Sequence, residues 1–284
     1  MAGGAALFPR AATEGNGDIA LVKLATWNVN SIKVRLPAVL DWLKTAAPDI
    51  LCLQEIKCPA QDFPALEIKS LGYHVEAVGQ RSYNGVAILS REPASDILRA
   101  LPGDAKDDQA RYLEATIAGL RVASIYLPNG NPVESDKYPY KLAWMKRLNA
   151  RARALLDTEQ TVILAGDYNV CPTDDDVYDP EGWRGDALCR MESRSAFRAL
   201  ANLGYVDGFR AFHAEPHRYS FWDYQGARWH RGEGLRIDHL MLSPQAADRL
   251  EACDIDQGPR AKDKASDHTP VWCTIGAPHR PALM

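Results

Sequence analysis

The sequence predicts an α/β (α+β) protein, a single domain in which two packed β-sheets are flanked by helices. Three observations predict it. Nine short runs rich in aliphatic and β-branched residues recur along the chain, more than one open sheet ordinarily holds, so they divide between two. Longer stretches with apolar residues at helical spacing lie between some of them. No Pro/Gly/Ser-rich linker, repeat or low-complexity tract cuts the chain, and 284 residues at 46% hydrophobic suffice for one substantial core.

Residues 1–21 are rich in small residues, carry acids and lack the basic and long apolar regions of a secretory signal, so they are expected to form a disordered extension. The folded domain is expected over 22–276, with 277–284 as a tail. LVKLATWNVN reads as the first strand. RLPAVLDWLKTA places Leu36, Val39, Leu40 and Leu43 at i, i+3, i+4 and i+7, which predicts an amphipathic helix. DILCLQEIK, YHVEAV, NGVAILS, YLEATIAG and LRVASIYLP follow as strands, several continuous enough in hydrophobicity for burial on both faces. KYPYKLAWMKRLNARARALLD carries a second helical stripe, its basic residues reading as a solvated face. TVILAGDYN is the next strand. After it, CPTDDDVYDPEGWRGDALCR is acidic and reads as a surface excursion. RIDHLML and HTPVWCTI close the domain as strands.

Composition narrows the function classes. No apolar run approaches the roughly 20 residues a membrane-spanning helix needs, so no membrane partner is expected. The six cysteines, Cys52, Cys58, Cys171, Cys189, Cys253 and Cys273, form no CxxC pair, and several sit in apolar runs. Reduced thiols and a cytoplasmic setting are expected, with no zinc site. A net charge of −4 gives no global basic signature, so a nucleic-acid partner would have to be met by local patches or a metal.

The chemistry lies where strands end. WNVN presents Asn28 and Asn30, LQEIK presents Glu55, GDYN presents Asp167 and Asn169, and LRIDHL presents Asp238. A single Asp or Asn after a strand is more often a turn former. Four such endings together point elsewhere, because carboxylates that converge repel one another and resist desolvation unless a cation neutralises them. Oxygen and amide donors suit Mg²⁺, with Mn²⁺ as an alternative. Asp167 and Asn169, two apart in an extended segment, face the same way. One could activate a water while the other orients a phosphate oxygen. SDHTPVW sets Asp267 and His268 before the last strand, and a carboxylate beside that imidazole would fix its tautomer and favour its protonated form.

The ordered series WNVNSIKVRL, PDILCLQEIK, NGVAILS, SIYLPNG, LAGDYNV, YSFWDY, GLRIDHLMLS and SDHTPVW resembles the motif set of the exonuclease III family of AP endonucleases, within the endonuclease/exonuclease/phosphatase superfamily, from about residue 22 to 275. The resemblance implies a four-layer αββα sandwich of two facing mixed sheets. It also implies Mg²⁺-dependent hydrolysis of the phosphodiester 5′ to an abasic site in double-stranded DNA, with 3′-phosphodiesterase action on blocked 3′ ends, some 3′–5′ exonuclease action, and a monomer.

Carried over by motif, Glu55 resembles the principal metal ligand, with Asn28 and Asn30 in its hydrogen-bond network and Asp267 as an additional metal contact. Asp167 resembles the residue that deprotonates or orients water, and Asn169 the amide that positions the scissile phosphate. Tyr126 resembles the tyrosine touching that phosphate, and Asn129 a DNA-backbone contact. Asp238 and His268 resemble the two partners of a dyad. The metal-holding set is thus Asn28, Glu55, Asp167, Asn169, Asp267 and His268. Phe221, Trp222 and Leu235 match the wall of an apolar abasic pocket, though SFWDY also reads as an amphipathic strand packing into the core. Arg81, Tyr83, Asn84 and Arg111 match phosphate-contact positions, whereas the acidic run after Asp167 departs from a basic DNA-facing loop. A phosphatase of the same superfamily should lack the Phe221, Trp222 and Leu235 wall. A catalytically silent binding protein should have lost a metal or dyad residue, and none is lost.

Overall fold

A computed structural model describes residues 21–276. The expected extension up to residue 20 and the tail from 277 lie outside the described residues, and Leu21 already belongs to the first strand. Twelve strands divide into two six-stranded sheets. The first holds β1 (Leu21–Asn28), β2 (Ile50–Gln54), β3 (His74–Val78), β4 (Val86–Ser90), β11 (Leu250–Ile255) and β12 (Val271–Gly276), in the order β11-β12-β1-β2-β4-β3. The second runs β5 (Ser95–Leu98), β6 (Tyr112–Ile117), β7 (Leu120–Tyr126), β8 (Val162–Asp167), β10 (Asp238–Leu242), β9 (Val206–Asp207). In each sheet one parallel pair, β1 with β2 and β7 with β8, sits among antiparallel neighbours.

The two-residue alternation of side chains builds the layers. Leu24, Ile50, Cys52 and Ile88 of the first sheet meet Leu113, Val122, Ile163, Ala165 and Leu240 of the second in a central core. Their neighbours Ala25, Trp27, Leu51, Leu53 and Leu89 face outward onto α1 (Ile32–Thr45) and α2 (Ala65–Lys69), joined by Val39, Trp42, Leu43 and Ile68. On the far side Ala123, Ile125, Val162 and Leu164 pack under α3 (Lys137–Leu156) and, beyond the short α4 (Pro180–Trp183), α5 (Met191–Leu203). Two further short helices, α6 (Arg228–Arg231) and α7 (Pro244–Ala247), complete the chain. The arrangement is the expected αββα sandwich. All six cysteines are buried and free, and among the described residues no helix is long and apolar enough to cross a membrane.

Two expectations need correction. The acidic run after Asp167 is not a plain surface excursion. Its Cys171, Val177, Ala187, Leu188 and Cys189 form a fourth apolar cluster with Tyr138, Leu235 and Ile237, and its Asp176 is buried between Arg236 (2.7 Å) and Arg210 (2.5 Å). Part of the run's negative charge is therefore neutralised internally. Nor is the basic face of α3 simply solvated: Lys146 and Arg153 are exposed, but Arg147 and Arg151 pair with Asp107 and Glu114, and Lys141 is fully buried.

Beneath β8 the buried network ends on His239. Its Nε2 donates to the Val170 carbonyl (2.9 Å), while Nδ1 accepts from Arg236 (3.0 Å), which fixes the neutral tautomer. Burial, with the Arg236 charge adding, pushes this imidazole down to about 4. The unfolded chain takes up the proton near pH 6.5, so the stability His239 contributes is complete above that pH and is lost as pH falls toward 4. Denaturant unfolding should lose about 2 kcal/mol between pH 7 and 5 on this account. The expected result for His239→Gln is a visibly flatter slope over that interval, and an unchanged slope would contradict the assignment.

Candidate active site

The polar cluster forms where the two sheets end together. In the first sheet, the register of β1 with β2 sets Asn28 beside Gln54, and Glu55 follows at once. In the second, β7 with β8 sets Tyr126 beside Asp167, and antiparallel β10 sets Asp238 opposite Asp167. The loop entering β12 brings His268 over the same edge, bridged to Phe221. Glu55 and Asn169 both adopt left-handed backbone, φ 50° and 47°. Asparagine tolerates that conformation, whereas for Glu55 it costs on the order of 1–2 kcal/mol. The Glu55 carbonyl is tied to the amide of Ser31 (2.7 Å) and the next amide, of Ile56, to Gly85 (3.2 Å), so the surrounding loops hold the strained turn in place.

One amide joins the two sheets: Asn28 Nδ2 donates to Glu55 Oε1 and to Asp167 Oδ2, each at 2.9 Å, while its Oδ1 accepts from the backbone of Asn30. His268 Nδ1 bonds Asp238 Oδ2 at 2.8 Å, and its Nε2 lies 3.8 Å from Asp167 Oδ2. Ser220 Oγ donates to the same Asp238 oxygen at 2.6 Å, whereas Asp238 Oδ1 is buried without a partner. Asn169 lies in the floor, its amide nitrogen bonded to the Leu127 carbonyl and its oxygen accepting from Asn129 Nδ2 at 2.9 Å.

These contacts settle protonation. Burial opposes charge on His268, but Asp238 and Asp167 outweigh it and hold the imidazole protonated, up to about 10. Burial pushes the Asp167 carboxyl up to about 7, with His268 opposing and Asp238 adding. Burial would also raise Glu55, but the Lys57 ammonium, 2.8 Å from Oε2, brings it below its ordinary value. Tyr126 is raised well above its ordinary value by burial and by the charges of Glu55 and Asp167, so at neutral pH its phenol is a hydrogen-bond donor and not a base.

Ligand atoms of Glu55, Asp167 and His268 lie within 4.8 Å of one another. An imidazolium offers no lone pair, so in this protonation state His268 acts as a charge and the donors for a cation reduce to carboxylate oxygens. The crowded carboxylates of Glu55 and Asp167 fit a hard divalent cation. Asp267 stands at the rim, bonded to Asn30 Nδ2 (3.0 Å), outside that cluster.

Of the expected DNA contacts, Tyr83 is 71% exposed, Arg81 is exposed, and Arg111 stacks on the Tyr126 ring at 4.8 Å. Asn84, only 7% exposed, spends its amide nitrogen on Gln80 and Gln109. Phe221 leans on His268, ring centroids 4.8 Å apart. Trp222 and Leu235 are 2% and 1% exposed: Trp222 packs edge-on against Tyr219 and Trp229, and Leu235 pairs with Phe221 and joins the fourth apolar cluster. Three residues of the site escaped the sequence reading. Ser220 and Lys57 carry no signal beyond adjacency to Phe221 and Glu55. Lys141 does carry one, because it interrupts the apolar stripe formed by Tyr138, Trp144, Met145 and Leu148.

Residues 25–268 match the endonuclease/exonuclease/phosphatase family. Exodeoxyribonuclease III of Haemophilus influenzae is 30% identical over 263 residues, spanning 88% of this chain and 98% of that protein. Among solved structures, an AP endonuclease from Archaeoglobus fulgidus is similar at 38% identity and TM-score 0.86, over 89% of this chain and 99% of the other. A 3′ phosphatase from Neisseria bound to product DNA hairpin is similar at 41% identity and TM-score 0.87, over 89% and 98%.

A cation held here should bind the folded state alone and raise its thermal midpoint. At a hundredfold excess over the dissociation constant the stabilisation is about 2.7 kcal/mol, or several degrees. Thermal scans in Mg²⁺ against EDTA should show that rise for the wild-type protein and lose most of it in Glu55→Gln. A rise of equal size in both proteins would place the cation elsewhere.

Proposed function

The chain belongs to the endonuclease/exonuclease/phosphatase family, and from that premise we propose that it is a DNA repair nuclease of the exonuclease III type. Its proposed reaction is Mg²⁺-dependent hydrolysis of the phosphodiester 5′ to an abasic site in duplex DNA, with 3′-phosphodiesterase and 3′–5′ exonuclease action at the same centre. The observation that carries the reading is the convergence of a protonated Asp238–His268 pair with Asp167 and Glu55, on the sheet edge that also holds Tyr126 and Asn169. An anionic, pentacoordinate phosphorus needs these groups together: a base for the incoming water and positive charge or donors for the phosphoryl oxygens.

Asp167 is the group to take the water's proton, since burial brings its affinity for that proton near neutrality. His268, clamped in its charged form by Asp238, stabilises the negative charge that develops on the phosphate. Tyr126 and Asn169 donate hydrogen bonds to nonbridging oxygens, and Asn129 steadies Asn169 from below. Water attacks phosphorus as Asp167 takes its proton, the P–O3′ bond breaks, and the leaving 3′ oxygen takes up a proton from solvent, so the products are a 3′-hydroxyl and a 5′-deoxyribose phosphate. Glu55, kept ionised by Lys57, would be the principal carboxylate for the cation, which would supply charge neutralisation at the phosphate and at the leaving oxygen. Arg81, Tyr83 and Arg111 are proposed as DNA-backbone contacts, so binding should weaken steeply with salt.

A second reading is favoured by a specific observation. Of the expected wall, Phe221 is the member whose ring contacts His268, while Trp222 and Leu235 are almost fully buried, and a similar structure is that of a 3′ phosphatase. On this reading the main substrate is a terminal 3′-phosphate, and an extruded abasic sugar is secondary.

Both readings meet in one assay: a duplex with a single abasic analogue and another ending in a 3′-phosphate, each with Mg²⁺ or EDTA. The leading reading expects metal-dependent cleavage confined to the lesion, and Asp167→Asn or His268→Ala should lower it by about 10²–10⁴ while folding persists. Rapid loss of the 3′-phosphate with an intact abasic strand would establish the second reading. Near-normal turnover by either variant would refute the assigned roles.

A further inference from the structure

Lys141 is fully buried on the apolar side of α3. Its ammonium donates to two backbone carbonyls, of Asn169 at 2.6 Å and of Asn129 at 3.0 Å. These are the two residues whose side-chain amides join in the site floor, Asn129 Nδ2 to Asn169 Oδ1 at 2.9 Å. The local chain is shaped around this lysine. Gly130 takes φ 93°, and a Cβ there would stand 2.7 Å from Lys141 Cδ, so only glycine leaves room for the stem.

Stability does not explain the ammonium. Withdrawing a cation from water is costly, and an apolar side chain of like volume on a helix stripe is commonly neutral or stabilising by comparison. What a methionine could not do is bind two carbonyls from separate segments, the loop after β7 and the exit of β8. Asn169 also sits in left-handed backbone next to the catalytic strand, a conformation in which a small displacement redirects its amide.

We propose that Lys141 is a positioning residue for catalysis: it draws the Asn129 and Asn169 backbones onto one buried amine and so fixes the Asn129–Asn169 amide pair, and with it the Asn169 amide that meets the substrate phosphate. This rests on the phosphodiesterase reading. Lys141 touches no substrate and acts through the two asparagines, and a misplacement of about 1 Å in such groups lowers turnover by about 10²-fold.

The test is a double-mutant cycle on the full chain with Mg²⁺, using whichever of the abasic and 3′-phosphate duplexes the wild-type protein cleaves. Lys141→Met should lower kcat by about 10²-fold with KM changed less than about threefold, and should leave the thermal midpoint at or above that of wild type. Added to Asn129→Ala/Asn169→Ala, the same substitution should lower kcat by less than about threefold, because the groups it positions are already gone. Equal losses in the two backgrounds, a rise in KM at unchanged kcat, or kcat within about twofold of wild type would each overturn the proposal. Should Lys141→Met not fold, Lys141→Leu, which likewise removes both carbonyl contacts, replaces it in the cycle under the same criteria. Wild-type protein inert toward both DNA substrates would instead refute the phosphodiesterase reading, so the two failures are distinguishable.

Discussion

Asn28 donates one amide nitrogen to carboxylates from two different sheets, Glu55 of the first and Asp167 of the second, and this contact constrains everything around it. Buried carboxylates that approach one another repel, and the repulsion grows as water is excluded. A neutral amide softens that repulsion only if its geometry is fixed, which the bond from the Asn30 amide to Asn28 Oδ1 secures. The remaining excess of negative charge is met by two cations of the chain, the Lys57 ammonium on Glu55 and the His268 imidazolium between Asp238 and Asp167. A divalent cation would enter the same balance, because Glu55 and Asp167 present ligand oxygens beside one another.

The sandwich supplies the geometry this balance needs. Parallel pairs β1 with β2 and β7 with β8 end on the same edge of the molecule, so residues leaving four strands arrive together without long flexible loops. The inter-sheet core behind them is close-packed aliphatic side chain, which resists the small shifts that would separate the carboxylates. Rigidity at the base and strain at the rim coexist. Glu55 holds left-handed backbone where neighbouring loops bond its carbonyl and the next amide, and Asn169 where its amide donates to Asp167 Oδ1 and its carbonyl accepts from Lys141 Nζ.

How much of this was legible in the sequence follows from the range of each interaction. Asn28, Glu55 and Asp167 stood out because the end of an apolar run marks where a strand stops, and the layered fold was readable from the same runs; Asp238, also read as a strand ending, instead opens β10 and reaches the same edge because β10 runs antiparallel to β8. β11 was not: Glu251 and Asp254 interrupt LEACDI, and its pairing with β12 is a tertiary fact, shifted by a bulge between Leu250 and Ala252. Helix α5 also went unread, although Phe197 and Leu200 lie on one face and Gly204 ends it in left-handed backbone, because it follows an acidic run whose burial depends on arginines more than 30 residues away. Trp222 and Leu235 matched a motif, but their side-chain directions are set by Tyr219, Trp229 and the fourth apolar cluster. Motif position gives no access to that choice.

The assignment of proton-transfer roles turns on the asymmetry between Asp167 and Asp238, which oppose each other in register yet lie in different surroundings. Asp238 is bonded to Ser220 and to the imidazole, so its charge is used in keeping His268 protonated. Asp167 receives the Asn28 amide and the Asn169 backbone amide but lies 3.8 Å from His268 Nε2, too far for a hydrogen bond. It therefore keeps the higher proton affinity that burial gives it. In the proposed reaction an imidazole carrying both protons cannot take one from water, nor can a phenol raised well above its ordinary value, which is why the proposal gives that step to Asp167 among these three.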